Sequence, residues 1–218
     1  MTALVFYFTD HSICLAMDAL SLDIEKHPFK LVSKFVLLPH LQSIICGTGV
    51  LGLIPKWIEF IQTSMVFGNI TQLSMATSNQ LKKIYEEMSI PSDITSTIYH
   101  FGLDKITNTM VGYAFRSTKA FQMEKLDYGL GVKPTYPVKG AIVPLQPEEI
   151  EPKFIDLITQ LKEVDDNLPI KEKLGIGGEI HFARLNKKGM YFVKILHQFP
   201  DINTVYGEML NNPNVKQI

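Results

Sequence analysis

The chain has 218 residues, a hydrophobic content of 46% and a formal net charge of −1. These values predict one domain over residues 1–218 with a sizeable core, and they argue against a disordered chain. Lysine and arginine never form a run longer than two residues, and the apolar runs are far too short for a membrane span. The sequence therefore favours neither a nucleic-acid partner nor a membrane partner.

The first half of the chain predicts four strands and then two helices. Two apolar runs flank the polar stretch Thr9-Asp10-His11-Ser12, which is typical of a β-hairpin. The polar stretch 20–30 is interpreted as a connection without regular structure. The next two strands are predicted over 31–38 and 42–46, and apolar residues at helical spacing predict helices over 50–65 and 72–88.

The second half of the chain predicts two further hairpins around one helix. Strands are predicted over 96–103 and 109–117 and over 179–185 and 191–199, with a loop-rich segment over 121–137, a helix over 147–164 and a polar tail. Strands and helices thus come in blocks rather than in strict alternation. This order favours a mostly antiparallel α+β arrangement, in which two sheets pack together and helices cover their outer faces.

Cysteines, histidines and the N-terminus indicate a reducing compartment and no metal. Cys14 and Cys46 lie in apolar runs, and the N-terminus lacks a basic leader and a small-residue cleavage site. We therefore expect a cytoplasmic protein with two buried, reduced thiols. The six histidines are scattered without ligand spacing, so neither a metal site nor a cofactor is expected.

Thr2 is the first candidate for chemistry. Removal of Met1 would leave Thr2 with a hydroxyl and a free α-amine on the same residue. Such an amine titrates at about pH 7.7–8.0, so a useful fraction is uncharged at neutral pH and can act as a base. A hydroxyl that is activated by its own terminal amine is a recognised nucleophile. A second interpretation is that Thr2, like the second residue of many proteins, has no chemical role.

Three features at fixed distances from Thr2 resemble a known family. Asp18 closes the motif Ala16-Met17-Asp18 and lies 16 residues after Thr2, while Lys34 lies 32 residues after it. Gly47-Thr48-Gly49 then separates the fourth predicted strand from the first helix. In these features the chain resembles the proteasome-type N-terminal-nucleophile hydrolases, which include the β-subunits of the 20S proteasome and a bacterial two-ring peptidase that works with an ATPase unfoldase.

The resemblance implies a fold and a role for each residue. The fold would be the αββα sandwich of the N-terminal-nucleophile (Ntn) hydrolases, with two mainly antiparallel sheets between helical layers. Thr2 would attack a peptide or amide carbonyl, and a protonated Lys34 beside it would favour the alkoxide. Asp18 would hold and neutralise Lys34, and the backbone N–H of Gly47 would stabilise the oxyanion.

The resemblance also implies partners, and one departure from it supports a second function. Family members usually form closed rings, so a homo-oligomer is expected, and an ATPase partner is conceivable without support from the residues. The active family has a Gly-Ser-Gly turn that supplies a serine hydroxyl, whereas the aligned residues here are Gly129-Leu130-Gly131. A catalytically inactive, proteasome-like scaffold is therefore the alternative to a threonine peptidase. In a third interpretation, an unrelated α+β binding domain, the spacing is coincidental.

Overall fold

The N-terminal hairpin lies within a five-stranded antiparallel sheet. This sheet is seen in a computed structural model of the protein, which describes residues 2–23, 25–50, 52–64, 66–91, 94–140 and 144–215. Its strands, in order across the sheet, are β10 (Gly129–Lys133), β1 (Leu4–Phe8), β2 (Ser12–Asp18), β11 (Glu179–Asn186) and β12 (Tyr191–Gln198). Because side chains alternate along a strand, Leu4 and Phe6 point to one face of the sheet and Val5 to the other.

A second five-stranded antiparallel sheet contains the central hairpin. Its strands, in order, are β5 (Phe35–Leu38), β6 (Ser43–Thr48), β7 (Thr97–Asp104), β8 (Thr109–Arg116) and β9 (Met123–Lys125). The predicted hairpin over 96–117 is confirmed to within one residue at each end. The predicted loop over 121–137 is wrong, since it contains β9 and β10, which are short strands at sheet edges with little apolar signal of their own.

The third sheet arises from the segment that was expected to be a connection. Strands β3 (Leu20–Leu22) and β4 (Pro28–Leu31) form a two-stranded antiparallel sheet. Strands of three and four residues carry too few alternating positions to be recognised from their pattern. Strand β4 ends at Leu31 and β5 begins at Phe35, whereas the sequence predicted one continuous strand over 31–38.

Four α-helices are seen in the described part of the chain, and three of them were predicted. They are α1 (Leu53–Ser64), α2 (Ile70–Glu87), α3 (Ile150–Asp166) and α4 (Ile202–Asn211). Helix α4 falls in the expected polar tail because it buries only Val205 and Met209, one turn apart. None of the described helices has both the length and the apolar character that crossing a membrane would require.

Three main clusters of buried apolar side chains hold these elements together. One cluster joins the facing sides of the two larger sheets and includes Phe6, Met17 and Phe101. A second cluster joins α1 and α2 to the sheet that contains β6, and a third joins α3 to the sheet that contains β1. Helix α4 instead packs on the small third sheet, where Val205 and Met209 contact Leu20.

The predicted Ntn-hydrolase αββα sandwich is therefore wrong. Besides the two larger sheets and the helices that pack on them, the described residues form a third antiparallel sheet and a fourth helix, which the predicted sandwich does not contain. The physical reason is that β3 and β4 form their own sheet, and the last helix, α4, covers that sheet instead of completing an outer layer. The thiols behave as expected, since Cys14 and Cys46 are buried and unpaired.

Candidate active site

A buried ion pair joins the end of one sheet to the start of another. Asp18 is the last residue of β2, and Lys34 directly precedes β5. The Lys34 Nζ atom lies 2.9 Å from Asp18 Oδ2, and the two side chains are 4% and 0% exposed. Burying both charges is costly unless the geometry and the remaining hydrogen bonds are good, so this pair is a conspicuous feature of the chain.

Backbone groups satisfy the rest of the ion pair. Lys34 Nζ also donates to the carbonyl of Leu20 at 2.6 Å. Asp18 Oδ1 accepts the N–H of Ala3 at 2.8 Å, and Asp18 Oδ2 accepts a longer bond from the N–H of Gly177 at 3.4 Å. The carboxylate thereby fixes the residue next to Thr2.

The two partners of the ion pair have pKa values that shift towards each other. Burial raises the pKa of Asp18, against the opposing effects of the Lys34 charge and the hydrogen bonds from Lys34, Ala3 and Gly177. Burial also lowers the pKa of Lys34, and the Asp18 charge only partly opposes this shift.

Thr2 lies beside this pair and at the wall of a cavity. It is 7% exposed and directly precedes Ala3, whose N–H is bound by Asp18. The cavity has a volume of about 580 Å³ and is lined by Thr2, Lys34 and Gly47 together. Met1, whose removal the chemistry would require, lies outside the described residues.

The rest of the cavity is lined by apolar side chains together with polar and charged ones. Strands β3, β4 and β6 and helix α1 contribute most of its lining. The apolar residues are Leu20, Leu22, Val32, Val36, Val50, Ile54, Pro55 and Ile58, and the polar ones include Ser21, Ser33, Thr48, Glu59 and Gln62. The cleft is thus wide enough for one extended segment or side chain of a ligand.

Gly47 is part of a strand rather than of the turn that was expected. It belongs to β6 and pairs with Ile98 of β7. A Cβ atom at Gly47 would lie 2.8 Å from Ile98 Cδ1 and 2.9 Å from the carbonyl oxygen of Thr97, so packing alone requires glycine here. The turn that leads towards α1 contains Gly49, whose φ of +107° favours glycine.

The Gly129-Leu130-Gly131 segment is far along the sheet from Thr2. It begins β10, where Leu130 pairs with Tyr7 at the end of β1 opposite to Thr2. In this register Lys133 pairs with Leu4, so the residues that follow β10 continue towards Thr2. The alignment of this segment with a serine-bearing turn beside the nucleophile is therefore wrong, because these residues form a strand.

Sequence reasoning missed the two backbone groups that complete the site. The carbonyl of Leu20 binds Lys34, and the N–H of Gly177 binds Asp18. The available signal was Gly177-Gly178 directly before β11, since β11 pairs with β2 up to Asp18. Without the strand order, nothing in the sequence links positions 159 residues apart.

Comparisons with known proteins identify solved structures with a similar fold, but no protein family that matches this chain. Models of protein families give no match to this chain, and neither do curated protein sequences. Among solved structures, the chain is similar to Anbu (ancestral beta-subunit) from Yersinia bercovieri, with a TM-score of 0.65 and 12% identity over the whole of both chains. It is also similar to an Anbu (Gly-1) mutant from Hyphomicrobium sp. strain MC1, with a TM-score of 0.63 and 10% identity over 97% of this chain and 93% of that one.

These structures correct the predicted family. Both are Anbu proteins, so the assignment to the branch of proteasome β-subunits and bacterial two-ring peptidases is wrong. That assignment depended on a few positions within the first 49 residues, and spacing within one hairpin and one strand does not determine the rest of a chain. At such low identity the likeness shows the fold alone.

Proposed function

We propose, on the premise that the chain has the fold of the Anbu proteins, that it hydrolyses a peptide or amide bond with Thr2 as nucleophile. The observation that carries the proposal is the buried Asp18–Lys34 pair at a cavity that Thr2 also lines. A buried ion pair contributes little to stability compared with well-packed apolar residues, so its presence beside a cleft favours a chemical role.

The proposed reaction has two steps and needs no cofactor. After removal of Met1, the Thr2 hydroxyl attacks the substrate carbonyl and its proton moves to the terminal amine, which then protonates the leaving amine. Water next attacks the ester on Thr2 and gives a proton to the terminal amine, which passes it to the departing Thr2 oxygen as the carboxylic acid product leaves. Lys34 stabilises the Thr2 alkoxide, Asp18 holds Lys34, and the N–H of Gly47 is proposed to face the oxyanion, a role worth about 3 kcal/mol in comparable enzymes.

A non-catalytic, proteasome-like scaffold is the second candidate, and the comparisons favour it over catalysis. One similar structure is described as an ancestral beta-subunit, a term for one member of an assembly. The similarity extends to the fold and gives no evidence of a reaction. In either case we propose a homo-oligomer, whose ring size and need for an ATPase are left open.

The two candidates are separated by the mass of the intact, untagged protein before and after incubation with a β-lactone. Catalysis by Thr2 predicts loss of the Met1 mass and then a single adduct, which Thr2→Ala abolishes. Thr48→Ala is the matched control, since Thr48 lines the same cavity and is expected to leave the adduct unchanged. Retained Met1 without an adduct would contradict catalysis and leave the scaffold.

A further inference from the structure

Strand β12 forms one edge of the sheet that contains the N-terminal hairpin. It pairs with β11 on one side, and no described strand pairs with its other side. Its outer N–H and C=O groups therefore need water or another strand as partner. The strand has eight residues, and its pairing with β11 is regular from Tyr191 to Ile195, before a bulge.

The side chains of β12 are unusually apolar for a free edge. Phe192, Val193 and Ile195 are 51%, 48% and 53% exposed, and they lie on both faces of the strand. Edge strands are commonly protected by proline or by an outward lysine. Here the lysine, Lys194, binds Glu151 at 2.6 Å and lies over the Phe192 ring, so its charge is already engaged within the chain.

Charge along this edge favours an antiparallel partner with the same sequence. The turn before β12 contains Lys187 and Lys188, and the adjoining turn contains Asp10. These three side chains together carry a net positive charge. At the other end of β12, Lys162 forms ion pairs with both Asp166 and Asp201. The two carboxylates and one ammonium group give this end a net negative charge. Antiparallel pairing of two copies sets the basic end of each strand beside the acidic end of the other, whereas parallel pairing sets like charges together.

We propose that two copies of this chain associate through antiparallel pairing of their β12 strands, with the twofold axis near Val193. The two five-stranded sheets would continue into one, and the exposed Phe192, Val193 and Ile195 of both copies would be covered. A twofold axis brings the same surface of each copy together, as a self-complementary edge requires. This surface is independent of Thr2, so the dimer and the proposed hydrolysis can fail separately.

The first test measures molar mass by light scattering on the eluting full chain over a range of concentrations. A single chain has a mass of 24.7 kDa, and we expect at least twice this value for the unaltered protein. Val193→Lys should halve the mass or return it to that of one chain, because it places two ammonium groups at the axis. Ile106→Lys is the matched control, since Ile106 is 79% exposed on the β7–β8 turn and should change nothing.

The second test covers the case in which Val193→Lys does not fold. Val193→Cys should form a disulfide-linked dimer on mild oxidation, since opposed residues across an antiparallel axis lie close enough to bridge. Cys14 and Cys46 are buried and give little background. The proposal would be overturned by an unaltered protein that is monomeric at every concentration, or by a Val193→Lys variant with the same mass as the unaltered protein. The outer edge of β12 would then pair with a different partner or with water.

Discussion

Two groups of buried polar side chains behave differently in this molecule. Asp18 and Lys34 form a charged pair at the cavity that Thr2 lines. His100, Trp57 and Ser74 lie between the second sheet and helices α1 and α2, where Trp57 Nε1 donates to His100 Nε2 at 3.0 Å and Ser74 Oγ lies 3.2 Å from His100 Nδ1. Both groups are buried, but only the first is charged and faces open space.

The difference shows how burial can serve packing in one place and chemistry in another. Since Nε2 of His100 accepts from the indole, the neutral ring carries its proton on Nδ1 and donates it to Ser74. All three polar groups are then satisfied without charge, and burial lowers the pKa of His100 to about 3. The Asp18–Lys34 pair instead places an ammonium group and a carboxylate at the wall of a cavity, where Lys34 is proposed to stabilise the alkoxide of Thr2.

Among the variants that test this comparison, Lys34→Ala is expected to cause the largest loss of stability. It leaves the Asp18 carboxylate buried without its cation, which typically costs about 3–5 kcal/mol of unfolding free energy. The variant should also lose any β-lactone adduct on Thr2, because no ammonium remains to stabilise the alkoxide. Urea unfolding and intact mass measure the two effects separately.

The matched controls for Lys34→Ala are a surface pair and a double variant. Lys119→Ala removes the exposed partner of Glu124 and should cost no more than about 1 kcal/mol. Combining Asp18→Asn with Lys34→Met removes both charges, so it should recover much of the stability without recovering the adduct. If the single variant kept its adduct, Lys34 would have no part in the chemistry.

Trp57→Phe tests the neutral group and should have an intermediate effect. Phenylalanine keeps an aromatic ring in the place of the indole, which stacks on His100 at an interplanar angle of 7°. The indole donor is lost, and an unsatisfied buried acceptor costs about 1–3 kcal/mol. Urea unfolding should show this loss, while the reactivity of Thr2 stays unchanged. An altered adduct rate would contradict the separation of the two groups.

The sequence could anticipate the ion pair but not the neutral group. Asp18 and Lys34 were found because they stand 16 and 32 residues after Thr2, distances at which the resembled family places a carboxylate and a lysine. His100, by contrast, meets Trp57 and Ser74 only when two helices pack on β7, and no periodicity encodes that packing. The third sheet and α4 escaped prediction for the same reason, since their few apolar residues acquire meaning only from contacts with each other.

The smallest predicted effect is a dependence of stability on pH that comes from His100. Its folded-state pKa of about 3 lies below the ordinary value of 6.5, so the unfolded chain binds the proton more readily. Stability from this residue is therefore fully present above pH 6.5 and falls as the pH drops towards 3. The ring faces Trp57, Ser74 and Phe115, and none of these side chains carries a charge that would oppose the trend.

When the pH is lowered from 7.5 to 5.5, His100 is expected to lower the free energy of unfolding by about 1.4 kcal/mol. Because carboxylates and the Asp18–Lys34 pair also depend on pH, the quantity to measure is the difference between the unaltered protein and His100→Gln, which cannot take up the proton. Urea unfolding at the two pH values should show a stability loss that is smaller in the variant by about this amount. An equal loss in both proteins would mean that His100 is protonated as easily in the core as in the unfolded chain, and the contrast between the neutral group and the charged pair would no longer hold.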